Sequence, residues 1–167
     1  MYRIFPSPKQ CTFYHNTLSC TSYGSVTTAP EIEESCRAAG FDPAPLLASV
    51  FPGGFSPEGI TLTAEYVSCA PEGFQLNIAP SGIRISCGDG AGFFYALGVL
   101  VQLAAQAGGT LPCAEIADEP VLSVRGIMLD IGRDKIPSME TLRRLIDLFA
   151  SMRINHLQLY MEGFSFD

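Results

Sequence analysis

Hydrophobic and polar residues alternate most clearly in the middle of the chain. Residues 59–69 (GITLTAEYVSC) place an apolar side chain at every second position, which is the period of a half-buried β-strand. Residues 74–87 contain two further arms of this kind, separated by a turn at 80–82 (PSG), and so predict a β-hairpin. Shorter apolar runs predict strands in residues 2–5 (YRIF) and 25–29 (SVTTA). We therefore expect an antiparallel sheet.

Two stretches of the same region carry helix signals. Residues 30–40 begin with a proline, carry three acidic residues in the first turn and end with a glycine. Residues 91–107 are almost continuously apolar, and Asp89 is placed to cap their amino terminus. The Pro- and Gly-rich residues 41–59 are predicted to be mainly a connection, with room for one short helix. Helices that cover one antiparallel sheet define an α+β fold, which we assign to residues 1–120.

The order of the elements changes after residue 120. Residues 125–131 and 156–161 are apolar enough for parallel strands that are buried on both faces. Between them, residues 138–152 carry one apolar stripe at helical spacing. This strand–helix–strand order predicts a parallel βαβ unit, and we assign residues 121–167 to a second domain.

Charge and cysteine content exclude several classes of function. The chain has 10 basic and 17 acidic residues, a net charge of −7, and no cluster of Lys or Arg, which argues against a nucleic-acid partner. The six cysteines form no C-x-x-C pair and the two histidines lie far apart, so we predict no metal site and no cofactor. The cysteines are expected to be mostly buried free thiols.

Neither the long apolar stretch nor the amino terminus has the features of a membrane-spanning or signal segment. Gln102, Gln106, three glycines and a length below about 20 residues argue against a membrane span near 91–107. The amino terminus (MYRIFPSPKQCTF) lacks the apolar segment of a signal peptide. The sequence as written therefore predicts a cytoplasmic protein, and a signal peptide removed beforehand would make it periplasmic or secreted.

A motif spanning the junction of the two regions is specific enough to name a family. The apolar helix GAGFFYALGVLVQL is followed by a pattern of eight residues in register: Asp118, Pro120, Arg125, Gly126, Leu129, Asp130, Arg133 and Pro137. The pattern resembles the start of family 20 glycoside hydrolases, the β-N-acetylhexosaminidases. The resemblance implies a small α+β domain ahead of a (β/α)8 barrel. Such a barrel needs about 250 residues, so residues 121–167 are expected to be its truncated start.

The resemblance also implies an activity. Family members remove terminal β-linked N-acetylhexosamine from glycans by a substrate-assisted retaining mechanism, with an adjacent Asp-Glu pair on a later barrel strand. The dipeptide Asp118-Glu119 precedes the barrel region. We therefore predict no catalytic residue in this chain, which should be inactive alone, and a glycan with terminal N-acetylhexosamine as the partner of the full-length protein.

Three residues are predicted to bind the sugar: Arg125, Asp130 and Glu162. The resemblance implies that Arg125 binds hydroxyls of the terminal sugar, a task that suits the fixed donor geometry of a guanidinium. Barrel geometry alone favours Asp130 and Arg133 instead, because substrate groups gather at the carboxyl ends of barrel strands. Asp130 is also suited to pair with a neighbouring arginine and hold the strand end.

The second strand departs from the family pattern. Gln158 and Tyr160 stand where well-known members have two histidines, and Glu162 follows them. Glu162 is a candidate ligand for a sugar hydroxyl, and a solvated loop carboxylate is an equally good interpretation.

Two further expectations follow from these patterns. A non-catalytic module that binds a glycan or a protein on its sheet is the alternative function; a metallopeptidase is set aside because no H-E-x-x-H occurs.

Without the other barrel strands, Met128, Leu157 and Leu159 should be partly exposed. Exposed apolar strand edges pair with other chains, so the βαβ unit is expected to self-associate or to be disordered.

Overall fold

The computed structural model describes residues 2–133 and 136–162. The chain forms two compact units, Met1–Pro120 (unit 1) and Val121–Asp167 (unit 2). Unit 1 contains six strands and three helices. In chain order they are β1 Gln10–Ser19, β2 Tyr23–Thr28, α1 Pro30–Ala38, α2 Ala44–Val50, β3 Ile60–Tyr66, β4 Phe74–Ala79, β5 Gly82–Cys87, α3 Gly90–Ala107 and β6 Thr110–Asp118.

Unit 1 is an α+β domain, as predicted, but its sheet is mixed rather than antiparallel. The strand order is β1-β6-β4-β5-β3-β2. The pairs β1–β6, β6–β4 and β4–β5 are antiparallel, including the predicted hairpin, whereas β3 pairs in parallel with both β5 and β2. The chain between β2 and β3 contains α1 and α2, and a crossover of this length permits parallel pairing. The alternation of side chains identifies a strand but not its direction.

The predicted strand at residues 2–5 is wrong. The segment forms no strand, and glutamine side chains of α3 bind the backbone of Arg3 and Phe5. The Gln106 side chain accepts from the Arg3 N–H at 2.9 Å and donates to the Arg3 carbonyl at 2.7 Å. Gln102 makes the same pair of bonds with Phe5, both at 2.8 Å. A primary amide has N–H donors beside an acceptor oxygen, so each glutamine can pair with both backbone groups of one residue in place of a neighbouring strand.

The core of unit 1 lies between α3 and the sheet. The Asp89 side chain caps α3 by accepting from the Gly92 N–H at 2.7 Å, as predicted, and Gly108 ends the helix at a φ of +61°. Phe93, Leu97 and Leu100 are at most 1% exposed. Among the described residues, α3 is the one helix long and apolar enough to cross a membrane, yet half of that stretch is buried inside the protein. Such burial is typical of a core helix.

Unit 2 is the predicted parallel βαβ unit. It consists of β7 Gly126–Asp130, α4 Met139–Ser151 and β8 His156–Tyr160, and β7 pairs in parallel with β8. The Ser138 side chain caps α4 by accepting from the Thr141 N–H at 3.2 Å. None of the described residues of unit 2 is fully buried. Met128 is 60% exposed and Leu159 is 45% exposed, whereas Leu157 is half-buried.

Candidate functional site

Four polar side chains meet where β7 and β8 end. Asp130 is the last residue of β7 and Tyr160 the last of β8, and Arg133 and Glu162 follow within three residues. Because the strands are parallel, their carboxyl ends lie at the same edge of the sheet. We call Asp130, Arg133, Tyr160 and Glu162 the strand-end cluster.

Arg133 is the centre of this cluster. Its Nε lies 2.6 Å from Oδ2 of Asp130 and 3.3 Å from Oε1 of Glu162. The Tyr160 hydroxyl donates to Oε2 of Glu162 at 2.5 Å, and the Arg133 guanidinium lies 5.7 Å from the centre of the Tyr160 ring. One guanidinium therefore joins two carboxylates and covers one aromatic face.

The backbone at the strand ends is drawn close together. A Cβ atom at Gly132 would lie 2.8 Å from the backbone nitrogen of Glu162, which is closer than a side chain tolerates. The Gly132 N–H donates to Oδ1 of Asp130 at 3.0 Å. Glycine at position 132 thus allows the loop after β7 to approach the loop after β8 and to hold the Asp130 carboxylate.

Hydrogen bonds fix the charge states in the cluster. The Gly132 N–H, and after it the Arg133 guanidinium, hold the pKa of Asp130 below its ordinary value. The hydrogen bond to the Glu162 carboxylate raises the pKa of Tyr160, with smaller contributions from burial and from the charge of Asp130. At neutral pH the cluster therefore presents a charged Asp130 and a neutral phenol. Its ion pairs are largely solvated, so they contribute little to stability.

Arg125 lies at the opposite end of β7. Its Nε donates to the carbonyl of Arg153 at 2.6 Å and its Nη1 to the carbonyl of Leu122 at 2.7 Å. Its backbone N–H donates to Oδ1 of Asn155 at 2.9 Å. Five strand residues separate Arg125 from the end of β7, which corresponds to about 16 Å. Of the three predicted sugar ligands, the structure brings together Asp130 and Glu162 through Arg133, and it does not bring Arg125 to them.

Sequence reasoning named Tyr160 only as a departure from the family pattern and did not place it in the site. The signal that identifies it is its spacing from Glu162. Residues two apart in extended chain point to the same side, so a hydroxyl at 160 can reach a carboxylate at 162.

The remaining candidates for chemistry have other roles. Asp118 accepts from the backbone N–H of Lys9 at 3.1 Å, and Glu119 forms an ion pair with the Lys9 ammonium at 2.8 Å. The dipeptide Asp118-Glu119 therefore holds the segment that leads into β1.

The six cysteines are free, four of them buried, with Cys11 and Cys69 exposed. Burial raises the pKa of Cys87 to about 12, which makes it an inert thiol at neutral pH. Within residues 2–133 and 136–162, no three His, Cys, Asp or Glu side chains are grouped to hold a metal ion.

Comparison with known families matches unit 1 almost completely. The family model described as glycosyl hydrolase family 20, domain 2, matches residues 1–119. The α+β domain of unit 1 is thus the domain that this family model describes, and it makes up more than half of the chain. The chain belongs to glycoside hydrolase family 20.

Curated relatives extend this similarity beyond unit 1. A β-hexosaminidase of Akkermansia muciniphila is 32% identical over 93 residues, which are 54% of this chain and 19% of that protein. A β-hexosaminidase of Vibrio vulnificus is 27% identical over 158 residues, which are 95% of this chain and 18% of that protein. The chain therefore spans about a fifth of the length of these relatives.

Solved structures share the fold. The GH20 exo-β-N-acetylglucosaminidase of Vibrio harveyi, in complex with N-acetylglucosamine, matches 94% of this chain and 25% of its own chain with a TM-score of 0.74 at 23% identity. The β-N-acetylhexosaminidase of Bacteroides fragilis matches 93% of this chain and 32% of its own chain, also with a TM-score of 0.74 at 23% identity.

Proposed function

We propose that this chain is the amino-terminal part of a β-N-acetylhexosaminidase, which removes terminal β-linked N-acetylhexosamine from glycans. The observation that carries the proposal is the match to the Vibrio vulnificus β-hexosaminidase over 95% of this chain. The match covers not only the family domain at 1–119 but also the βαβ unit after it. An isolated binding module would need only the first of these regions.

Unit 2 is proposed to begin the catalytic (β/α)8 barrel. Its two strands are parallel and joined by a helix, which is the repeating unit of that architecture. Barrel strands have neighbours on both sides, and their inner face is filled by side chains from other strands. Such neighbours would cover Met128 and Leu159, which are exposed here.

The strand-end cluster is proposed to bind the sugar. Substrates of barrel enzymes lie at the carboxyl ends of the strands, where Asp130 and Glu162 are located. Both carboxylates accept hydrogen bonds from sugar hydroxyls, and Arg133 holds the two side chains in place.

Arg125 is proposed as a third sugar ligand on the family resemblance. Its guanidinium contacts the carbonyls of Leu122 and Arg153. Sugar hydroxyls would compete with these carbonyls for the donors of Arg125, so a substitution of Arg125 tests the sugar-binding role against the structural one.

The chemistry itself is assigned to residues of the remaining barrel. In substrate-assisted hydrolysis the 2-acetamido carbonyl attacks the anomeric carbon, a Glu protonates the leaving oxygen and the neighbouring Asp orients the acetamido group. The dipeptide Asp118-Glu119 cannot take this part, because both side chains contact Lys9 beside the end of β6.

The test compares two lengths of the protein on an aryl β-N-acetylglucosaminide. We expect release of the aryl group by the full-length polypeptide and none by the 167-residue chain, since general acid catalysis needs a positioned proton donor. A full-length protein that binds but does not cleave the substrate would refute the hydrolase. Turnover by the 167-residue chain, free of longer enzyme, would refute the assignment of the catalytic pair to the later barrel.

A further inference from the structure

The second face of the unit 1 sheet carries only polar and small side chains at its centre. Along β3, Leu62 and Ala64 are buried in the core, so Thr61, Thr63 and Glu65 point to the other side. The same alternation holds in β4 and β5, where buried and exposed residues alternate. We call this side of the sheet the open face.

The strand register aligns the open face into rows. One row runs across five strands, because Thr12 pairs with Glu115, Glu115 with Asn77, Asn77 with Arg84 and Arg84 with Thr63. Neighbouring strands lie about 4.8 Å apart, so this row is about 19 Å long. The hydrogen-bonded strands fix the spacing of the Cα atoms along this row.

The open face is concave. A cavity of about 930 Å³ lies over it and is lined by residues of β1, β3, β4, β5 and β6. Sites for small ligands have volumes of about 300–1,000 Å³, so this cavity is large enough for several linked sugar units.

Side chains on the open face are partly held by one another. Asn77 donates to the Glu115 carboxylate at 3.5 Å, and the Arg84 Nε lies 3.6 Å from Oε1 of Glu65. The Tyr14 hydroxyl is hydrogen-bonded to Glu115, and this contact raises the pKa of Tyr14. Tyr14 is half-exposed, so an aromatic ring adjoins a row of amide, hydroxyl and charged groups.

The charge of the open face selects among ligands. Its charged residues are Glu65, Glu115 and Arg84, which gives a net charge of 1 − 2 = −1. The net charge is negative and the one cationic side chain of this lining lies beside Glu65, so the open face disfavours a phosphate or sulfate group. A protein partner needs a central apolar or aromatic anchor, and the row across the sheet offers none. A neutral ligand rich in hydroxyl and amide groups is complementary to this surface, because amides, hydroxyls and carboxylates supply both donors and acceptors.

We propose that the open face is a second glycan site, which binds a neutral oligosaccharide of β-linked N-acetylhexosamine without cleaving it. The choice of N-acetylhexosamine as the sugar rests on the proposed function. Asn77, Arg84 and Glu115 hold the sugar hydroxyl and acetamido groups, and Tyr14 stacks against a sugar ring. Such a site would keep the enzyme on a glycan-rich surface between hydrolytic events.

The test is an NMR titration of the ¹⁵N-labelled 167-residue chain with a tetrasaccharide of β-1,4-linked N-acetylglucosamine. We expect shifts for the amides of β4, β5 and β6. Arg84→Ala and Asn77→Ala should each weaken binding about tenfold, as the loss of a hydrogen bond to a sugar implies. Arg37→Ala is the matched control, because Arg37 is an exposed arginine on α1 and should leave the titration unchanged.

Four outcomes would overturn the proposal: no shifts at millimolar oligosaccharide, shifts confined to other regions, undiminished binding by both variants, or equal binding of a tetrasaccharide of glucose without acetamido groups. Equal binding of the glucose tetrasaccharide would overturn the assignment of N-acetylhexosamine as the sugar. The activity of the full-length enzyme separates this proposal from the hydrolase. An active enzyme whose open face binds nothing refutes only the second site. An inactive protein whose open face binds the tetrasaccharide refutes only the hydrolase.

Discussion

Units 1 and 2 are both built from strands and helices, but they differ in what those elements bury. In unit 1, 24 hydrophobic residues form one buried cluster around α3 and the sheet. In unit 2, no described residue is fully buried, although α4 and both strands carry apolar side chains. Burial of a large apolar side chain contributes about 1.5–3 kcal/mol, so unit 1 has its own source of stability and unit 2 does not. Complete secondary structure is thus no sign of an independent domain.

The largest expected effect concerns unit 2 as a whole. In the 167-residue chain, we expect the amides of β7 and β8 either to exchange rapidly with solvent or to be protected only where the chain self-associates through these strands. The reason is that Met128 and Leu159 are exposed and that, within the described residues, β7 and β8 pair only with each other. Hydrogen exchange together with light scattering measures both. A monomer with strongly protected β7 and β8 would show that unit 2 is stable by itself.

The next largest effect is expected for a substitution in the buried core of unit 1. Leu100→Ala in α3 removes a side chain that is 0% exposed, and we expect it to lower the free energy of unfolding by about 2–5 kcal/mol. Leu145→Ala in α4 is the matched control, because Leu145 is only half-buried and its loss should cost about 1 kcal/mol or less. Urea denaturation followed by circular dichroism gives both values. Equal losses would contradict the contrast between the units.

Arg125 tests the proposed site in the full-length enzyme. If its guanidinium binds the sugar, Arg125→Ala should lower kcat/KM by at least tenfold, since a charged hydrogen bond contributes about 1.5–3 kcal/mol. If it serves only to hold the carbonyls of Leu122 and Arg153, the substitution should lower the Tm and leave kcat/KM within a few-fold of the wild-type value. Arg133→Ala is the comparison at the other strand end, where we expect a loss of kcat/KM with little change in Tm.

The glutamine contacts of unit 1 should have a smaller effect. Gln102→Ala removes two hydrogen bonds to Phe5, and we expect a loss of about 1 kcal/mol and faster proteolysis of residues 2–9. Alanine favours the helix, so the change should not disturb α3 itself. Gln158→Ala removes an exposed glutamine side chain from unit 2 and is the control. Unchanged proteolysis would mean that the segment is held by its other contacts.

These elements also show what a sequence can and cannot predict. The hairpin and the amino-terminal cap of α3 follow from local signals, and both were predicted, because turns and capping groups act within a few residues. Strand β1 was missed because nine of its ten residues are exposed and it contains an irregularity between Phe13 and Thr17, so it lacks a clear alternation. Strand β6 was missed as well, and it contains Pro112, which argues against a strand.

Long-range contacts are harder to predict from sequence patterns. The parallel pairing of β3 with β5 and β2 depends on the path of the whole chain, which no local signal records. In the site, the position of Asp130 and Glu162 at adjacent strand ends could be predicted from the βαβ order. The contacts of Arg125 with two backbone carbonyls could not, because they depend on the conformation of the loops at 122 and 153.

The smallest predicted effect is the shift in the pKa of Asp130, which reports directly on whether the strand-end cluster is formed. The Gly132 N–H and then Arg133 hold the pKa of Asp130 below its ordinary value, so the ionised carboxylate is favoured in the folded protein. The resulting contribution to stability is fully present above the ordinary carboxyl pKa and is lost as the pH falls through the lower, folded-state pKa. Where unit 2 is folded, we expect a ¹³C NMR titration of Asp130 to have a midpoint below that of an unstructured aspartate. In Arg133→Ala the midpoint should rise but stay below the ordinary value, because the bond from Gly132 is the larger cause and remains. An ordinary midpoint in the unchanged chain would show that the strand-end cluster does not form without the rest of the barrel, and it would extend the contrast between the two units from burial to the site itself.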